Sequence, residues 1–167
     1  MASVVLTLGA DISTDVIYPG RYMATVLPSE TPQFAFADLG EFNLKLTSHQ
    51  IPPGSIIVAG RNFGCGSSRE QAVSTLKGHE LTIIAESFAR IFLQNAINLG
   101  LHLITAPGIE ASEGDELAVV GDRVVNSRTG KSYGTEPLPT ARQAIMEAGG
   151  LIPYTRTRLL EKSKKAT

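Results

Sequence analysis

The sequence contains one cysteine, Cys65, in 167 residues. An internal disulfide is therefore excluded, and so is an iron–sulfur centre held by this chain alone, which needs about three or four thiolates. Its three histidines, His49, His79 and His102, are scattered without the spacing of metal ligands, so no metal is expected on this chain. Blocks of one charge are also missing. Fifteen Lys and Arg stand against sixteen Asp and Glu for a net charge of -1, and basic residues gather only at the very end, so nothing offers an electrostatic footprint for nucleic acid. Apolar runs are short. None approaches the roughly 20 residues that span a bilayer, and no charged leader precedes an apolar signal core, which predicts a cytoplasmic chain with no membrane partner.

What is present describes one globular domain. With 43% hydrophobic and 19% charged residues, positions 1–167 are enough to enclose a core. The β-branched runs "SVVLTLG" and "SIIVAG" predict buried strands. From Ser68 the pattern alternates: "SREQAVSTLKGH" has helical spacing, "LTIIAE" reads as a strand, and "SFARIFLQNAINLG" reads as a helix. That helix would set Phe88, Ile91, Phe92 and Ile97 near one face, end at Gly100, and lead to the strand "LHLITA". The order is βαβαβ, an α/β fold. Further on, "DELAVVGDRVVNSRTGKSYG" predicts short strands joined by tight turns, and "PTARQAIMEAGG" predicts a closing helix stopped by Gly149 and Gly150. The tail "EKSKKAT", residues 161–167, is expected to be solvated and frayed.

The chemistry concentrates at "NFGCGSSREQA", Asn62 to Ala72, where a glycine-rich turn leaves a strand and enters a helix. Such a corner gathers backbone N–H groups at the positive end of a helix dipole and suits an anion. Ser67 and Glu70 also fit a capping box, Ser-x-x-Glu, which would make the corner no more than a well-capped helix. Nucleotide motifs do not fit. A Walker A loop needs Gly-Lys-Ser/Thr where this chain has Gly66-Ser67-Ser68, and the dinucleotide fingerprint lacks its third glycine. Arg69 adds a planar fork of donors beside two hydroxyls, which favours a small carboxylated substrate. Cys65, between two glycines with no histidine near it in sequence, reads as a small packed thiol.

Together with "ESFARIFLQNAINLGL" after it and "GADISTDVIYPGRY" before it, this corner resembles the small subunit, or swivelling domain, of the aconitase superfamily, most closely the short isopropylmalate isomerase type. The three motifs occur in the right order and cover most of Gly9 to Leu101. The resemblance implies a swivelling β/β/α domain and a hydro-lyase that moves a hydroxyl between adjacent carbons of a malate-like acid by dehydration and rehydration. It implies Ser67 as the catalytic base, Arg69 as the grip on a substrate carboxylate, and Gly66 and Ser68 as further hydrogen-bonding positions. Thr14 and Asp15 would line the same site from another loop, although an Asp after Thr also suits a turn cap. Tyr18 stands where the aconitase pattern proper has a serine. The resemblance further implies a [4Fe–4S] cluster on a partner large subunit, a heteromer active only when assembled, and a possible homo-oligomer of the isolated chain.

In this family a loop after the Thr-Asp segment reads the variable end of the acid. Relatives acting on homoaconitate-type acids carry Tyr-Leu-Arg-Thr there, and this chain has Tyr22, Met23, Ala24 and Thr25. No charge waits at position 24 for a distal carboxylate, and burying one unpaired costs several kcal/mol. The expectation is therefore an alkyl-bearing malate, with 2- and 3-isopropylmalate interconverted for leucine biosynthesis. A dimethylmalate or citramalate hydro-lyase and a homoaconitase are the alternatives within the class. An anion-binding regulatory module without catalysis is the alternative outside it.

Overall fold

A computed structural model describes residues 1–165. In chain order its elements are β1 (Ala2–Leu8), α1 (Thr14–Ile17), α2 (Gly40–Thr47), β2 (Ile56–Ala59), α3 (Glu70–Gly78), β3 (Thr82–Ala85), α4 (Arg90–Leu99) and β4 (Leu103–Thr105). They continue with β5 (Glu116–Val120), β6 (Arg123–Asn126), β7 (Ser132–Gly134), α5 (Thr140–Glu147) and α6 (Leu151–Lys165). Two 3-10 turns, Gly20–Tyr22 and Thr31–Phe34, lie between α1 and α2.

The strands form one seven-stranded sheet ordered β4-β3-β2-β1-β5-β6-β7. β1 to β4 run parallel, with α3 and α4 as crossovers, and β5 to β7 add an antiparallel meander to the other edge of β1. The expected βαβαβ order and the downstream hairpins are thus both present. All four residues of β2 are buried, as a strand covered on both faces requires. Side chains alternate between two cores with the period of the strand. Ile57, Ala59, Ile83 and Ala85 face α3 and α4, where they meet Val73, Leu76 and Phe92. Ile56, Val58 and Ile84 face the opposite side, where Val4, Leu117 and Val124 join them under Ala106 and Ile109. The mixed sheet with helices against its parallel half is the β/β/α arrangement expected of a swivelling domain.

Three expectations are corrected. α4 begins at Arg90, so Phe88 precedes it, and Phe92, Ala96 and Ile97 form its buried face while Ile91 is 44% exposed. Gly100 does end that helix, in a left-handed conformation. Gly149 and Gly150 do stop α5 just after Glu147, with φ of +85° and +119°, but the helix they end does not close the chain. They form a turn into α6, which packs against α4 and α5 and continues through Lys165, so the tail expected to fray from Glu161 is helical as far as it is described. Residues 166 and 167 lie outside the described residues. Among the described residues no helix is long and apolar enough to cross a membrane.

Candidate active site

The corner after β2 is laced to two other segments. Phe63 N–H donates to Ser87 O at 3.0 Å and Ala89 N–H to Phe63 O at 2.9 Å, which ties it to the entry of α4. Gly64 N–H donates to Ile12 O at 2.8 Å and Thr14 N–H to Cys65 O at 2.8 Å, which ties it to the loop after β1. The Thr14 hydroxyl, buried, donates to Ser67 O at 3.0 Å. Gly64 and Gly66 make this path possible, with φ of +80° and +89°. Gly64 has a second constraint, since a Cβ there would lie 2.2 Å from Phe92 Cγ.

Ser67 and Ser68 are exposed, and their hydroxyls have no hydrogen-bond partner among the described residues. The N–H groups of Gly66, Ser67 and Ser68 likewise donate to no carbonyl or side chain there. The capping box is corrected by the structure. α3 starts at Glu70 with Arg69 as its N-cap (φ -102°, ψ 109°) and no capping side chain, because Ser67 O is taken by Thr14 Oγ1 and by Arg69 N–H at 2.9 Å. The Ser67 side chain is left to the open corner.

Arg69 turns away from its own helix toward α1. Its Nη1 bonds Asp15 Oδ1 and donates to Tyr18 O at 3.2 Å, and its side chain is 13% exposed. The guanidinium holds the Asp15 carboxyl below the usual carboxylate range. Gly20 leaves room for the pair, since a side chain there would begin 3.3 Å from Asp15 Oδ1 and 3.4 Å from Arg69 Nη2. Cys65 is half-buried, with Sγ directed at Asp11 O at 3.3 Å. Thr14, Asp15, Gly66, Ser67, Ser68 and Arg69 therefore meet in one place, from sequence positions 53 and 54 apart across the two contacts.

The turn at 22–25 is joined to this cluster indirectly. Met23 and Ala24 are exposed at its tip, and no hydrogen bond or ion pair links it to Ser67 or Arg69. The link is Tyr18, fully buried, whose hydroxyl donates to Tyr22 O at 3.1 Å with Thr25 O at 3.4 Å. Burial pushes this phenol above its ordinary value, so it stays a donor. Arg21 pairs through both Nη atoms with Asp38 and lies 4.7 Å over the Tyr22 ring, which commits the charge nearest to Ala24 elsewhere. Neither Tyr18's contact nor the Asp15–Arg69 pair has a signal in local spacing. A groove of about 510 Å³ runs from Val26 and Pro28 along α3 past Glu70, Ser74 and Lys77, and Ser67 lies outside its lining. Among the described residues no group of three or more His, Cys, Asp or Glu side chains is placed to hold a metal, and one thiol cannot ligate a [4Fe–4S] cluster.

Comparison with known proteins matches residues 12–107 to the Aconitase C-terminal domain family. The chain is 41% identical, over 157 residues covering 90% of each sequence, to a 3-isopropylmalate dehydratase small subunit of Thermodesulfovibrio yellowstonii. It is 45% identical, over 160 residues covering 92% of each, to an isopropylmalate/citramalate isomerase small subunit of Methanocaldococcus jannaschii. A crystal structure of a 3-isopropylmalate dehydratase from M. jannaschii superposes with a TM-score of 0.88 at 39% identity, covering 98% of this chain and 97% of that one.

Proposed function

Because the chain belongs to the aconitase C-terminal domain family, we propose that it is the small subunit of a 3-isopropylmalate dehydratase, interconverting 2- and 3-isopropylmalate with a large subunit. The observation that carries the reading is the convergence of Thr14 and Asp15 onto the Gly66–Arg69 corner, which places a free hydroxyl beside an oriented guanidinium. In this reading Ser67 Oγ takes the proton from the carbon that loses hydrogen and returns it on rehydration. A serine is a weak base unless its alkoxide is stabilised. The unpartnered N–H groups of Gly66 to Ser68, the N-terminus of α3 and Arg69 supply that stabilisation.

Arg69 grips the malate carboxylate with Nη2 and Nε, since Nη1 is already engaged. Thr14 fixes the corner through Ser67 O, Asp15 acts by holding the guanidinium, and Ser68 with the Gly66 N–H adds substrate hydrogen bonds. The [4Fe–4S] cluster does not fit this chain's single thiol, so the reading assigns it to the large subunit, where it would supply a Lewis acid for the departing hydroxyl. The exposure of Ser67 and Ser68 fits a site completed by that subunit. A lone, half-buried thiol suits the reducing cytoplasm, where the reading places the enzyme.

For the substrate, Ala24 offers no charge, and Arg21 is held by Asp38, so a distal carboxylate finds no partner at the turn. That favours an alkyl group over the homoaconitate type. A second reading, relaxed choice among isopropylmalate, citramalate and dimethylmalate, is favoured by the small Ala24 beside the adaptable Met23 and by the name of the M. jannaschii relative. The test is co-expression with a candidate large subunit, anaerobic cluster reconstitution, and kcat/KM for each of these acids and homoaconitate. Highest kcat/KM for isopropylmalate supports the first reading, and near-equal values support the second. Acid binding without turnover of any of them would favour the regulatory module.

A further inference from the structure

Tyr18 reaches both halves of the site. Its carbonyl accepts a hydrogen bond from Arg69 Nη1 at 3.2 Å, which helps to hold the guanidinium that would grip the acid through Nη2 and Nε. Its hydroxyl donates to Tyr22 O at 3.1 Å, with Thr25 O at 3.4 Å, which are the two ends of the turn that carries Met23 and Ala24. We propose that Tyr18 is a positioning residue for substrate choice, a buried strut that fixes the 22–25 turn at a set distance from the Arg69 guanidinium.

The turn's own bonds close it without attaching it to the domain. Thr25 N–H donates to Tyr22 O at 2.9 Å and Met23 N–H to Gly20 O at 3.1 Å, all within the same few residues. The Tyr22 ring anchors the near end by stacking on Phe34, with centroids 4.1 Å apart. The Tyr18 hydroxyl is the contact that reaches across to the far end at Thr25. Tyr18 itself is 0% exposed, so it cannot touch substrate, and its ring sits edge-on to Tyr22 and Phe34 at 6.5 and 6.1 Å. An acid held at Arg69 would present its alkyl group at a fixed reach. A difference of one methylene is discriminated only where the opposing wall is equally fixed.

The inference rests on the function proposed above, and Tyr18→Phe separates the two because it keeps the ring and removes only the hydroxyl. In the isolated chain, amide exchange at Thr25 should accelerate at least tenfold while amides of α3 and β2 keep their parent rates. In the reconstituted complex, the ratio of kcat/KM for isopropylmalate over citramalate should shift at least threefold, with the change mainly in KM. Faster exchange with an unchanged ratio overturns the role in substrate choice, and unchanged exchange overturns the strut. A parent complex inactive on every alkylmalate overturns the substrate reading instead, and the strut is then decided by exchange alone.

Discussion

Gly64→Ala tests the packing that shapes the corner. The substitution puts a Cβ where φ is +80°, which costs roughly 1–2 kcal/mol for a non-glycine residue. It also drives that atom to 2.2, 2.4 and 2.6 Å from Phe92 Cγ, Cδ2 and Cβ, and overpacking of this kind adds roughly 1–3 kcal/mol. Phe92 cannot easily retreat, because it is 2% exposed and its ring is edge-on to Phe63 and stacked with Phe88. The sum is about 2–5 kcal/mol, or a fall in Tm of about 4–20 °C for a chain of this size. Gly66→Ala is the internal control. Its φ is +89°, yet the nearest atoms to a Cβ are 3.7 Å away, so only the roughly 1–2 kcal/mol of backbone strain applies. Urea unfolding of both variants isolates the Phe92 clash as their difference. Phe92→Ala removes two of the three close atoms, so combined with Gly64→Ala it should be less destabilised than the sum of the single changes by about 1 kcal/mol or more. Equal midpoints for the two glycine variants, or strict additivity with Phe92→Ala, would refute the reasoning.

Ser67→Ala in the reconstituted complex should lower kcat by about 10²–10⁴ while leaving the unfolding midpoint in place, since the hydroxyl is exposed and unbonded; near-parental turnover removes it as the base. Arg69→Lys keeps the charge and loses the fork that serves Asp15 and the acid together, so KM should rise about tenfold or more with a smaller change in kcat; unchanged kinetics would make Arg69 structural only. Asp15 has a depressed pKa in the folded chain, so its pairing stabilises fully above the ordinary carboxylate value and is lost as pH falls through the lowered one. The stability difference between parent and Asp15→Asn should therefore be present near neutrality and vanish in acid, and a difference independent of pH would contradict the pairing. Ala24→Arg should shift the kcat/KM ratio toward homoaconitate-type acids by about tenfold, ~1.4 kcal/mol, within reach of one charge-assisted contact; a shift produced only by changes at Met23 or Thr25 would show the register to be off by one.

Much of this architecture is legible in the chain because its signals are local. The β-branched runs at 56–59 and 82–85 alternate between two cores, and Gly100 stops α4 where a left-handed residue is needed. The corner's residues are legible for the same reason. Their wiring is not. Ser-x-x-Glu at 67–70 has the spacing of a cap, but Thr14, 53 residues away, takes the Ser67 carbonyl and keeps the chain extended at Arg69, so the helix starts two residues later than that cap would set it. Asp15 and Arg69 read separately as turn cap and substrate ligand, and only the fold makes them partners. Tyr18 reads as a departure from a serine pattern, and its value lies in what the hydroxyl reaches. α6 is missed because a charged segment with Pro153 near its start resembles a tail, and its Leu159 and Leu160 remain exposed.

The place of β1 in the sheet has a consequence for how the chain is made. β1 precedes the other six strands in chain order, and it pairs in parallel with β2 on one edge and through Ala2 and Ser3 with Leu117 and Glu116 on the other. The parallel half can assemble once residues up to 105 have left the ribosome. Until residues 114–117 emerge, the second edge of β1 has no partner and is open to strands of neighbouring nascent chains. The joint that completes the sheet is thus both its longest-range and one of its shortest pairings, and folding should be slow at that step. Overproduction in crowded polysomes would tax this seam before any other part of the molecule.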